Sequence, residues 1–129
     1  MVAQHRQPPP QDVSVPAASA VAFRQLAMRA VGVATLVFLA SGLGILTRPD
    51  HQLATFWLTN ALLLGLFARR PALASPVGWA AAALGYVAAD LLTGTSLPTT
   101  LRLTLANVAG VAAGFLLFRH VRQEDRHLQ

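Results

Sequence analysis

The sequence predicts an all-α integral membrane protein, a four-helix transmembrane bundle that follows a disordered tail. Of its 129 residues, 54% are hydrophobic and only 12% are charged, whereas soluble domains carry about 25% charged residues. The mean hydropathy is +0.51. Too few charged side chains remain to cover a soluble fold of this size, so lipid is the expected solvent for most of the chain.

The first 23 residues are predicted to form a disordered cytoplasmic tail. Three consecutive prolines lack amide donors, and the small polar residues around them bury too little surface to offset the entropy of ordering. A cleaved signal peptide is the alternative, since Arg24 and Arg29 precede an apolar run that contains the small residues of FLASG. The proline-rich lead and the further apolar segments downstream favour the tail.

Four apolar segments follow, and residues 24–119 are predicted to form the bundle. A spanning helix needs about 20 residues, so the second segment is short for this role. Because backbone amides cannot stay unpaired in lipid, each segment is predicted to be helical. The links are brief, which predicts that consecutive helices pack as antiparallel neighbours. The segments cover approximately residues 26–46, 53–68, 73–92 and 97–118.

The arginines predict a multi-pass membrane protein with both termini in the cytoplasm. Eight of the ten arginines lie before or in the first turn of the first segment, after the second segment or after the fourth, and these regions share one side of a four-span protein. Trp57 would then lie at the outer interface. Since the arginines flank apolar runs, the expected partner is the lipid bilayer, not nucleic acid. The positions assigned to topology include Arg69, Arg70, Arg119 and Arg122.

Four polar residues inside the apolar segments are candidates for a site. Asp90 and Arg102 are expected at similar depth near the outer ends of the third and fourth segments, where they could pair. Asn60 and Asn107 could form a hydrogen bond between the second and fourth segments. Two interpretations stay open: structural packing, or the sensing of a ligand and transmission of a signal.

Small residues at four-residue spacing mark two faces where helices could approach closely. One face lies on the third segment and includes Gly85. The other lies on the fourth and includes Gly110 and Gly114. Packing of these two segments against each other is one interpretation. Association through the fourth segment, as a homodimer or with another membrane protein, is the other.

The composition argues against catalysis and against a metal or cofactor site. There is no cysteine, so disulfides and thiolate ligands are excluded. No histidine falls within a predicted span, which leaves little material for acid–base chemistry. Residues 120–129 are expected to be a cytoplasmic linker to an output domain outside this chain.

A further pattern extends over residues 53–120. An aromatic residue and a tryptophan open the second segment, an asparagine follows within one turn, and two arginines and a proline close it. The third segment carries an LGxxxAD pattern, and the fourth carries an asparagine after a short SLP loop. The residues are Phe56, Trp57, Asn60, Arg69, Arg70, Pro71, Gly85, Asp90 and Asn107.

This pattern resembles the N-terminal half of the first type of bacterial membrane-associated sensor domain, the MASE series. That family usually has proline after the tryptophan and glycine after the asparagine, where this chain has Leu58 and Ala61. The resemblance implies a location in the bacterial inner membrane and a role as the non-catalytic input module of a diguanylate cyclase or histidine kinase. Such a module would respond to a small-molecule signal in pathways such as cyclic di-GMP signalling. A small membrane scaffold or a transporter subunit is the alternative function.

Overall fold

The computed structural model describes residues 15–47 and 55–127, with side chains over 19–47 and 58–123. Within these ranges there are four α-helices and no strand, so the all-helical prediction is confirmed. The first helix begins at residue 15, inside the predicted tail, and the fourth continues through residues 120–127. The elements are α1 (Val15–Leu46), α2 (Thr55–Arg69), a 3-10 turn (Pro71–Leu73), α3 (Pro76–Leu92) and α4 (Leu97–His127).

Two of the helices are long and apolar enough to cross a membrane. The candidate spans are Ser19–Leu46 in α1 and Leu97–Gln123 in α4. At 1.5 Å per residue, α1 and α4 are about 48 and 46 Å long, against a hydrocarbon core of about 30 Å. Helices α2 and α3 are apolar but shorter, with 15 and 17 residues, or about 22 and 26 Å.

The four helices pack around one core, but not in the order expected from the short links. Helix α1 packs against α2 and α3, and α4 packs against the same two helices, so α2 and α3 lie across the diagonal. The most extensive pair is α1 and α3, which run parallel: Arg29 shares a crevice with Val77, and Gly42 shares one with Thr93. The prediction that consecutive helices are neighbours is therefore wrong for α2 and α3.

Gly85 explains why α1 and α3 pack so closely. A Cβ atom at this position would lie 2.7 Å from the carbonyl oxygen of Ala34 and 2.9 Å from the Cβ of Val37, both in α1. Only glycine therefore allows the two backbones to approach to this distance. The third helix thus turns its small-residue face towards α1, not towards the fourth helix as its spacing suggested.

The 70–75 connection ends in an N-cap for α3. Ser75 is the N-cap, its hydroxyl accepts a hydrogen bond from the backbone N–H of Gly78 at 3.2 Å, and Pro76 occupies the first turn. A Cβ at position 78 would overlap the carbonyl oxygen of Leu73. Behind α3, Gly94 adopts a φ of +88° and reverses the chain into α4.

Apolar side chains cover the outside of the bundle as well as its core. Only 17% and 22% of the most apolar stretches of α1 and α4 are buried inside the bundle. Large apolar residues on α1, α3 and α4, such as Phe23, Leu84 and Leu105, are more than half exposed. The buried core itself consists of Val33, Val37, Leu63, Phe67, Ala81, Ala82, Tyr86, Val111 and Phe115.

Candidate functional site

Three polar side chains from three helices meet inside the bundle, and we call them the polar triad: Asn60 of α2, Tyr86 of α3 and Asn107 of α4. The Nδ2 of Asn60 donates to the Oδ1 of Asn107 at 3.1 Å. The Tyr86 hydroxyl donates to the Oδ1 of Asn60 at 2.5 Å. Asn60 is therefore the central member, and its amide links α3 to α4.

The triad forms because each helix presents its polar residue on the face that it buries. Tyr86 and Asn107 are only 3% and 7% exposed, and Asn60 is half-buried. The sequence pointed to both asparagines but not to Tyr86. A signal was nevertheless present, since this is the only tyrosine of the chain and a hydroxyl inside an apolar helix needs a hydrogen-bond partner when it is buried.

The α4 side of the triad has unused hydrogen-bonding capacity. The Nδ2 of Asn107 is buried and has no hydrogen-bond partner among the described residues. The buried hydroxyls of Thr100 and Thr104, on the same face of α4, also lack one within those ranges. A buried polar group left unsatisfied costs about 1–3 kcal/mol. A polar partner for these groups, or a rearrangement of the side chains on this face of α4, would therefore lower the free energy of the bundle.

Asp90 and Arg102, for which the sequence allowed a pair at similar depth, lie in different surroundings. Asp90 is on α3, one turn beyond Tyr86, and is 4% exposed. Arg102 is exposed on the second turn of α4. Asp90 therefore adds a carboxyl group to the buried polar part of the bundle, whereas Arg102 belongs to its surface.

Three aromatic rings join the same three helices farther along the bundle, and we call them the aromatic layer: Phe67 of α2, Trp79 of α3 and Phe115 of α4. The ring centroid of Phe67 lies 4.8 Å from that of Trp79 and 6.3 Å from that of Phe115. The centroids of Trp79 and Phe115 are 6.4 Å apart. All three pairs meet edge to face, a favoured geometry for aromatic side chains.

Gly110 and Gly114, the two glycines on the small-residue face of α4, have different environments. A Cβ at Gly114 would lie 3.1 Å from the Cδ2 of Leu64, so this position packs against α2. A Cβ at Gly110 would have no atom within 4 Å. Gly110, with Ala61 and Ala106, borders an open groove of about 460 Å³ between α2 and α4 that both triad asparagines also line.

The arginines assigned to topology lie together at one end of the bundle, which we call the arginine end. Arg69, Arg70, Arg119 and Arg122 are all exposed there. Trp57 lies in the first turn of α2, but its side chain is outside the described residues. Among the described side chains, those of residues 19–47 and 58–123, no three histidine, aspartate or glutamate residues are grouped so that they could hold a metal ion.

Comparison with protein-family models, with curated proteins and with solved structures finds no match to this chain. The resemblance to a membrane-associated sensor domain therefore stays a prediction from the residues quoted above.

Proposed function

We propose that this chain is a four-span bundle of the bacterial inner membrane that serves as the non-catalytic input module of a signalling protein, of the diguanylate cyclase or histidine kinase type. The observation that carries the proposal is the polar triad, which links three helices and ends on α4. Because α4 continues unbroken to His127, any change of packing at the triad is carried along one rigid helix.

The apolar exterior supports a membrane location for all four helices. Helices α2 and α3 lie alongside α1 and α4 around a common core, so they occupy the same depth in the bilayer. Their lengths of about 22 and 26 Å would thin the membrane locally. Helix α1 contributes Val33 and Val37 to the core, and Gly85 of α3 packs against its backbone. These contacts support a helix that is retained in the bundle over a cleaved signal peptide.

The arginine end would face the cytoplasm by the positive-inside rule. Helix α4 is about 16 Å longer than the hydrocarbon core, and the apolar surface of the bundle sets its depth. Its C-terminal turns, which carry Arg119 and Arg122, would therefore project from the membrane towards a cytoplasmic output domain. The polar triad would lie in the half of the membrane away from the cytoplasm, where a signal from outside could reach it.

The energetics of the triad suit a change of state. Interhelical hydrogen bonds in membranes contribute only about 0.6 kcal/mol on average. Exchange of one such bond for another therefore costs little, and the unpaired Nδ2 of Asn107 offers an alternative donor. A ligand that binds one arrangement better than the other would shift the population of α4 positions.

A fusion to a diguanylate cyclase domain after His127 tests the proposal. Because the signal is not known, the measured quantity is the basal cyclic di-GMP level in cells. We expect Asn107→Leu and Asn60→Ala to change it several-fold at equal protein amount. Thr47→Ala, which removes a hydroxyl that donates to the backbone carbonyl of Leu43 at the end of α1, is the control and should have no effect. Equal output from all variants would reject the input role.

A second candidate is a membrane scaffold, favoured by the open groove between α2 and α4. Its small exposed residues, Ala61, Ala106 and Gly110, would admit a helix of another membrane protein. Co-purification of a stoichiometric membrane partner that is lost on Gly110→Leu but kept on Gly32→Leu would favour this function. Position 32 of α1 is equally open but lies on a different helix.

A further inference from the structure

A second cavity lies at the arginine end, between the C-terminal turn of α2, the 70–75 connection and the C-terminal half of α4. Its volume is about 570 Å³. Three arginines line it, together with two phenylalanines of α4. The residues are Arg69, Arg119, Arg122, Phe115 and Phe118.

The described side chains give this cavity a positive charge. None of the described lining residues is a carboxylate, and the only acidic residue among the described side chains is Asp90, near the opposite end of the bundle. None of the three arginines forms an ion pair with any side chain of residues 19–47 and 58–123. Each guanidinium presents a planar set of donors that matches two oxygens of a phosphate group. The three together therefore favour an anion with several oxygens.

Part of the cavity lining is apolar. The ring of Phe115 forms part of it, and the Arg119 guanidinium carbon lies 5.9 Å from the centroid of this ring. This cation–π contact holds the charge against the apolar wall. Phe118, also on the wall, is 45% exposed and is available to contact a hydrocarbon chain. The cavity lining thus combines anion-binding guanidiniums with apolar rings that suit acyl chains.

We propose that this cavity binds the headgroup of an anionic phospholipid, with the phosphodiester on the three guanidiniums and the first carbons of the acyl chains against the two phenylalanines. The proposal rests on the membrane bundle with a cytoplasmic arginine end proposed above. Arg69 belongs to α2 and the other two arginines belong to α4. The bound lipid would therefore tie the cytoplasmic extension of α4 to α2, and membrane composition would influence how freely α4 moves.

Tryptophan quenching by brominated lipids provides the test. The chain has two tryptophans, and Trp57→Phe leaves only Trp79, whose ring centroid is 6.4 Å from that of Phe115 in the cavity wall. The protein is reconstituted in phosphatidylcholine vesicles in which either the phosphatidylcholine or added phosphatidylglycerol carries brominated chains. We expect phosphatidylglycerol to quench several-fold more strongly per mole than phosphatidylcholine.

Two charge-matched variants identify the residues responsible. Arg69→Gln with Arg119→Gln and Arg122→Gln should reduce the phosphatidylglycerol preference to about one. Arg24→Gln with Arg29→Gln and Arg70→Gln removes the same charge without altering the cavity lining, and should keep the preference. Arg122→Gln alone should lower it partly, which covers the case in which the triple variant does not fold.

Three results would overturn the inference. They are equal quenching by the two lipids in the parent protein, equal loss of preference in both triple variants, and displacement of the lipid by inorganic phosphate at constant ionic strength, which would assign the site to a soluble phosphate. A parent protein that does not float with vesicles would instead contradict the membrane proposal itself. The two failures are therefore distinguishable.

Discussion

The polar triad and the aromatic layer join the same three helices by different means. On α2 and α3 the two layers are seven residues apart, and on α4 they are eight residues apart, or about 11 Å along the bundle. The triad uses two hydrogen bonds and contains an amide donor that has no partner within the part of the chain that the structure describes. The aromatic layer uses three ring contacts, and its only polar side-chain group is the indole N–H of Trp79.

The difference shows which layer holds the bundle and which can change. Aromatic pairs contribute about 0.5–1.5 kcal/mol each beyond the area that they bury, and they leave no alternative arrangement of comparable energy in a close-packed core. Interhelical hydrogen bonds contribute less and can be exchanged. The aromatic layer should therefore act as the fixed point about which the triad end of α4 moves.

The largest effect is expected when the aromatic layer is opened. Phe67 is fully buried and contacts both other rings, so Phe67→Ala should destabilise the fold by about 2–3 kcal/mol. This lies at or below the 3–5 kcal/mol of soluble cores, because lipid is as apolar as the core and only packing is lost. Unfolding of the detergent-solubilised protein by increasing sodium dodecyl sulfate measures it.

Phe23→Ala is the control for this prediction. Phe23 lies on α1 and is 73% exposed, so its truncation removes no packing inside the bundle and should change stability by less than about 0.5 kcal/mol. Equal effects of the two substitutions would mean that the aromatic layer does not hold the bundle.

The next effect concerns α3, which carries one member of each layer but also packs on α1. Gly85→Ala would place a Cβ against the backbone of Ala34, and overpacking of this kind costs about 1–3 kcal/mol. Gly42→Ala, on α1, meets no atom within 4 Å and should be neutral or slightly stabilising, since alanine favours helix. The same unfolding assay compares them. If both are neutral, α1 does not fix the position of α3 and the two layers alone position it.

The smallest effects are expected in the triad. Asn60→Ala removes both hydrogen bonds and should cost about 1 kcal/mol, whereas Asn107→Ala and Tyr86→Phe each remove one and should cost about 0.6 kcal/mol. A double-mutant cycle between positions 60 and 86 should give a coupling energy of similar size. A cost in the triad above that of Phe67→Ala would reverse the comparison and make the polar layer the structural one.

Several features could be predicted from the sequence because they depend on local chemistry. A helix-only fold follows from the apolar runs, and the grouping of Arg69, Arg119 and Arg122 at one end follows from their positions at segment ends. The two asparagines were recognised because an amide in an apolar helix is costly without a partner. Tyr86 was missed, since a tyrosine next to small residues gives no sign of which way its hydroxyl points.

By itself, the sequence therefore determined the helical state, the chemistry available to each helix and the end at which the arginines gather. Only the tertiary structure decided which faces meet. Helix α1 packs parallel to α3 at Gly85, and the Tyr86 hydroxyl donates to Asn60. Asp90 is buried, whereas Arg102 is exposed. Gly114 packs against α2, whereas Gly110 borders an open groove. The physical reason is that the predicted spans carry large apolar residues on their outer faces as well as on their buried ones. Hydrophobicity then does not mark an inner face, and close fit and hydrogen bonding select it instead.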